Sequence, residues 1–288
     1  MSTVSRDRIE IVVLYIIIAL VGFGVHITIE LDGVWNYFAA DIAMTFVVYI
    51  ASVIKKNTSA YDAYWSVIPF LFVSWLAADH GATWSATQWC TAAAVSYWSW
   101  RLTLNWVRSW PGWSHEDWRY TAYREQLGKY YELMNFFGLQ LFPTIMVFWG
   151  CTPFFWVLSE APPSWVAVLP GVIVMCIGTT LELIADNQLH QFRMRENPAP
   201  ADLLDSGIWS IVRHPNYLGE ILFWVGASLT GLAVGAPWYS AGGALVIMSV
   251  VIFASIPFKD ERMASRRPQF EAYRRDTPAL IPGIHWPK

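Results

Sequence analysis

Thiols and charges are scarce in this chain, and each scarcity removes a class of explanation. Only three cysteines occur in 288 residues. Cys90, Cys151 and Cys176 stand in apolar stretches with no CxxC or metal-ligand spacing, so packed thiols are expected, with no disulfide scaffold and no metal site. Asp, Glu, Lys and Arg supply 14% of the residues against 55% hydrophobic ones, and the formal net charge is −3. That balance offers no basic surface for nucleic acid, and no nucleic-acid partner is expected. A mean hydropathy of +0.36 is too apolar for a soluble domain of this length. Internal repeats and low-complexity linkers are also missing, so residues 1–288 read as a single membrane domain.

What is present in abundance is apolar sequence long enough to cross about 30 Å of hydrocarbon. Eight stretches qualify or nearly so: Ile9 to His26, Val34 to Val53, Ser59 to Ala78, Ser85 to Trp106, Leu133 to Val157, Trp165 to Ile184, Tyr217 to Val234 and Trp238 to Phe258. The second carries Asp41 and the third carries Asp62 and Pro69, which makes them the weakest. The expected fold is all-α, a polytopic helix bundle of seven to eight spans.

With eight spans and a cytoplasmic amino terminus, all 19 Lys and Arg residues fall on one side of the membrane. The opposite loops hold Glu30, Asp32, Asp79, His80 and Glu160 but no Lys or Arg. Positive charge resists translocation, so both termini are expected in the cytoplasm. Many of the 18 Trp residues sit near span ends, as an interfacial aromatic belt requires. The segment from Glu116 to Tyr131, rich in Tyr and charge, reads as a helix at headgroup level, with Ser114 as its cap.

Two polar clusters interrupt the apolar background. Glu182, Asp186, His190 and Arg193 are spaced four, four and three apart, which places them on one face if the sixth helix continues toward Arg195. Pro198 and Pro200 then end that helix. This stripe suits ribose, amide and phosphate contacts, or else a salt-bridge network that only joins helices. The second cluster is the run Arg213-His214-Pro215-Asn216-Tyr217-Leu218-Gly219-Glu220. Pro215 fits the first turn of a helix, whose free amides favour an anion, with Arg213 and His214 as added donors. Gly219 admits a ligand or a neighbouring helix at close range. Ionisable groups at membrane depth mark a site by default.

The Arg213 to Glu220 run, with Glu182, Asp186 and Arg193 before it and Lys259-Asp-Glu-Arg-Met263 and Ala279-Leu-Ile-Pro-Gly283 after it, resembles the carboxyl-terminal half of the steroid 5-alpha-reductase superfamily. The likeness is greatest to its DUF1295 branch, which shares Glu116-Asp117-Trp118-Arg119-Tyr120. The resemblance implies a membrane reductase that binds NADPH in a cytoplasm-facing cavity and reduces an activated C=C bond of a steroid- or lipid-like substrate. It implies cofactor contacts from Asp186, Arg193, Asn216, Glu220 and Arg262, with Arg101 and Arg119 as further phosphate or ribose contacts, and Glu182, His190, Arg213, His214, Tyr217 and Lys259 complete the expected cofactor set. Residues 133–288 would form the cofactor half, 107–132 an interfacial element and 1–106 the substrate side. Steroid reductases carry Asn where Glu182 stands and Arg where His190 stands.

For the substrate carbonyl, the resemblance places Tyr61 and Asp62 where steroid reductases use a Gln-Glu pair, with Tyr97 as partner. Donors aimed at a carbonyl oxygen stabilise the enolate that forms as hydride arrives. Two other classes remain open. An isoprenylcysteine- or phospholipid-type methyltransferase using S-adenosylmethionine has a similar Arg-His-Pro-x-Tyr motif, and a non-enzymatic lipid carrier could use the same cavity. Membrane lipids are expected partners in each case.

Overall fold

The computed structural model describes residues 3–159, 164–195, 199 and 202–284, so Glu160, Pro198 and Pro200 lie outside the described residues. Among the described residues the regular structure is entirely helical. α1 (Thr3–Thr28) and α2 (Val34–Lys55) form the first hairpin. On α1, Ile9, Val12, Val13, Ile16, Ile17 and Leu20 are all exposed. An apolar helix with an uncovered outer face is suited to lipid rather than water.

Among the described residues, five helical stretches are long and apolar enough to cross a membrane: Val4–Thr28, Val34–Lys55, Trp118–Ser159, Trp165–Met194 and Trp238–Arg266. The other three expected spans are also helices, α3 (Tyr64–His80), α4 (Ala86–Ser109) and α9 (Pro215–Ala233). They fall short by themselves. α3 has only 17 residues, α4 carries Arg101 and Arg108, and α9 opens with Asn216 and contains Glu220.

The expected fifth span is part of a longer helical stretch. α5 (Trp118–Leu127) continues through a 3-10 turn at Gly128–Tyr130, then α6 (Tyr131–Met134) and a π turn at Asn135–Leu141, into α7 (Phe142–Ser159). Asp117, not Ser114, caps α5, its carboxylate accepting from the Arg119 amide at 2.9 Å. α8 (Trp165–Met194) ends where predicted. α9 starts with Pro215 in its first turn, also as predicted, and His214 is its N-cap. A second π turn, Val251–Ser255, separates α10 (Gly242–Val250) from α11 (Ile256–Arg266), and α12 (Phe270–Asp276) follows.

Four glycines set how α8 meets α9. A Cβ at Gly178 would lie 2.5 Å from the Gly219 carbonyl oxygen, and one at Gly171 would lie 2.7 Å from that of Gly226. Backbones that close are possible only between residues without side chains, the usual device for helix association in lipid. This contact brings the stripe on α8 alongside the polar run that opens α9. Around it, Trp98 stacks on Phe223 with ring centroids 4.5 Å apart, and both belong to a core shared by most of the long helices.

Candidate functional site

A cleft of about 460 Å³ opens among α3, α4, α5, α7, α9 and α10. Its polar lining includes Tyr61, Asp62, Asn105, Arg119, Tyr120, Tyr217 and Glu220, and its apolar lining includes Trp65, Leu102, Met146, Trp224 and Val250. Tyr61 and Asp62 sit in the short link between α2 and α3, where Thr58–Tyr61 forms a single 3-10 turn capped by Asn57. The Tyr120 hydroxyl donates to Asp62 Oδ1 at 2.5 Å. Burial pushes the Asp62 carboxyl up to about 6, against the Tyr120 hydrogen bond and the Arg119 charge that pull it down. A carboxyl poised near neutrality can donate a proton or a hydrogen bond in a way an ordinary surface Asp cannot. Glu220 accepts from two indoles, Trp224 Nε1 at 2.7 Å and Trp98 Nε1 at 3.1 Å, which fixes its carboxylate at the cleft wall.

Behind Asn105 lies a buried ion network. Arg101 Nη1 donates to Asp186 Oδ2 at 2.8 Å, its Nη2 lies against Glu182, and Asn105 adds a second donor to Asp186 at 2.8 Å. Arg101 and Glu182 are 5% and 2% exposed. Expected as direct cofactor contacts, Arg101, Glu182 and Asp186 instead pair with one another across α4 and α8. They do not line the cleft. Glu182 Oε1 and Arg101 Nε have no hydrogen-bond partner among the described residues.

Arg213 and His214 are also engaged elsewhere. Both bond Asp260 of α11, at 3.0 Å and 2.9 Å, and Arg213 further donates to the carbonyls of Arg274 and Thr277. Their backbone amides pair with the carbonyls of Pro278 and Ala279. Expected as phosphate donors, the two residues close a clasp that ties the carboxyl-terminal segment to the start of α9. A buried guanidinium needs its acceptors, and the chain supplies them from within.

The remaining candidates divide by position. Lys259 Nζ sits 4.4 Å from the Tyr217 ring and Arg262 lies 3.6 Å over Trp118, so both cations flank the cleft beside residues that line it or adjoin Arg119. Asn216 Oδ1 is buried without a partner among the described residues. His190 and Arg193 continue along α8 past Asp186 and line no part of the cleft. Tyr97 is also outside it. Its hydroxyl faces Thr180 at 3.4 Å, and it is Trp98, one residue on and about 100° around the helix, that turns inward.

Sequence reasoning did not select Asn105, Tyr120 or Trp224 as site residues. Asn105 was accessible, four residues after Arg101 on the same face. Both π turns also border the cleft, through Leu139 on one and Val251 and Ser255 on the other. Such turns recur at functional sites, because the extra residue re-aims the helix. A larger cavity of about 920 Å³ lies at the far end of the bundle, lined by Trp35, Tyr37, Phe148 and Trp149 with Asp32 and His80 at its edge. It contains none of the residues selected above, so the smaller cleft is the candidate site.

A family model described as "Protein of unknown function (DUF1295)" matches residues 48–277. An uncharacterized protein of Schizosaccharomyces pombe is 24% identical over 293 aligned positions, covering 87% of this chain and 82% of the yeast chain. No solved structure matches.

Proposed function

The chain belongs to the DUF1295 family, and on that premise we propose that it is a membrane-embedded reductase that uses NADPH to saturate an activated C=C bond in a steroid- or lipid-like substrate. We read all eight long helices as membrane crossings with both termini cytoplasmic, since the basic residues then share one side. The cleft accordingly opens toward the cytoplasm, where a dinucleotide is available.

One observation carries the reading: a single cavity joins Tyr61 and the Asp62–Tyr120 pair with Asn105, Arg119, Tyr217 and Glu220 over an otherwise apolar and aromatic lining. The donor set suits a dinucleotide. Arg119, Lys259 and Arg262 offer cations to phosphates, Glu220 and Asn105 offer acceptors and donors to hydroxyls and amides, and the buried Asn216 Oδ1 awaits a donor. When bound, the cofactor supplies hydride, and the protein supplies orientation and electrostatics. Tyr61 and the protonated form of Asp62 are the donors for a substrate carbonyl oxygen, and the apolar lining excludes water from the developing enolate.

The test is a cofactor scan on detergent-purified protein. NADPH is expected to raise the melting temperature, as any ligand that binds only the folded state does, while S-adenosylmethionine leaves it unchanged. Stabilisation by S-adenosylmethionine alone would move the protein to the methyltransferase class. Stabilisation by neither, with a co-purifying lipid found by mass spectrometry, would make it a lipid carrier.

A further inference from the structure

One charged group has no part in the site described so far. Asp41 lies inside membrane-spanning α2, is 2% exposed, and has no ion-pair partner among the described residues. An unpaired carboxylate at membrane depth is costly, so at rest the helix holds Asp41 as the un-ionised acid. Its oxygens do not face apolar packing. The Tyr64 hydroxyl donates to Asp41 Oδ1 at 2.7 Å and Thr45 Oγ1 donates to the Tyr64 hydroxyl at 3.1 Å, while the hydroxyl pairs Thr45–Thr144 at 2.9 Å and Thr144–Tyr61 at 2.8 Å can run in either direction. Four hydroxyls on α2, α3, α7 and the α2–α3 link thus connect a membrane-embedded acid to a residue that lines the cleft. All are buried, so no water competes for the links.

We propose that Asp41 is the proton reservoir of the cleft, delivering its proton to Tyr61 through Tyr64, Thr45 and Thr144. The proposal rests on the reductase reading for its purpose but not for its connectivity. Saturating a C=C bond needs a hydride on one carbon and a proton on the other. The Tyr61 O–H bond breaks as that proton leaves for the substrate carbon or its enolate oxygen. Each hydroxyl first turns about its C–O bond so that the Asp41 acid donates to Tyr64, Tyr64 to Thr45, Thr45 to Thr144 and Thr144 to Tyr61. The Tyr61 oxygen then takes the Thr144 proton, Thr144 that of Thr45, Thr45 that of Tyr64, and Tyr64 that of the Asp41 carboxyl. The negative charge that hydride brought to the substrate ends on Asp41, to which Tyr64 now donates. A proton from bulk solvent, carried in by water entering the emptied cleft, returns to Asp41 by the reverse path. Each hydroxyl gives and receives one proton, so nothing accumulates along the chain. The titratable groups that face Asp41 from neighbouring elements are Tyr61, Tyr64 and the Cys151 thiol of α7.

The decisive measurement is infrared spectroscopy on the protein in lipid vesicles, without cofactor. The Asp41 carbonyl stretch of an un-ionised acid should be present, should vanish in Asp41→Asn, and should shift as the acid proton exchanges with deuterium from solvent. In Thr144→Val, which leaves Asp41 and Tyr61 in place but interrupts the chain, that exchange should slow by about ten-fold or more, since it then needs local opening of the helix packing. Absence of the acid band, or exchange in Thr144→Val as fast as in the unmodified protein, overturns the proposal. Slowed exchange in a protein that reduces no enone and binds no NADPH sustains the relay while the reductase reading fails. If reduction is found, Thr144→Val should lower kcat by about a hundred-fold, the scale of a lost general acid, with NADPH affinity unchanged.

Discussion

The two halves of the run from Arg213 to Glu220 share one short segment yet make different kinds of contact. Arg213 and His214 turn toward Asp260 and the carboxyl-terminal strand of backbone, and all their strong contacts are internal. Tyr217 and Glu220, one turn later, line the cleft. A polar motif at a helix start is therefore not one functional unit. Its N-terminal side holds the fold closed, and its C-terminal side, carried on the first turns of α9, meets the ligand space.

That division can be broken by substitution. Asp260→Ala leaves Arg213 and His214 buried without their carboxylate, and it should cost about 3–5 kcal/mol, the range for removing one partner of a buried ion pair. The loss is read as an early melting transition in detergent with the NADPH-induced shift retained at low temperature. Glu220→Gln should do the reverse. Its amide can still accept one indole hydrogen bond, so stability should change by less than about 1 kcal/mol, while NADPH affinity falls about ten-fold through loss of a charged acceptor. If Glu220→Gln melts as early as Asp260→Ala, the two halves are not distinct.

The smallest effect concerns the opposite wall of the cleft. Asp62, outside the spanning helices, is held up to about 6 by burial, and the Tyr120 hydrogen bond opposes that rise. Tyr120→Phe should therefore move the Asp62 transition to higher pH, seen as a displacement of the alkaline limb of the pH profile of reduction to higher pH. The sign for stability follows from linkage. The folded state holds the Asp62 proton more tightly than the unfolded chain does, so this group favours folding at acid pH. Its contribution is lost as pH rises from the ordinary carboxylate value through about 6.

Local features were legible in the sequence, and long-range pairings were not. Pro215 announced the start of α9, and the end of α8 near Arg195 followed from its surroundings, because both depend on neighbours a few residues away. The clasp depends on Asp260 and Thr277, dozens of residues from Arg213, and no periodicity points to them. Tyr97 was placed by its distance from Arg101 along the helix, but the inward direction at that level belongs to Trp98. Asp41 read as a defect in a span because the partner of its carboxyl, Tyr64, comes from α3, and Thr144 further along the hydroxyl chain comes from α7. The π turns had no sequence signature at all, since one extra residue per turn leaves hydropathy unchanged.

The glycine contacts between α8 and α9 have a consequence for alignment. Sliding one helix by a single residue would drive a Cβ into a carbonyl that the present fit only just clears. Gly171, Gly178, Gly219 and Gly226 thus act as a vernier, four positions without side chains that fix to within one residue which rung of α8 stands beside which rung of α9. The height of the Arg101 network relative to the Glu220 carboxylate is set by atoms that are not there.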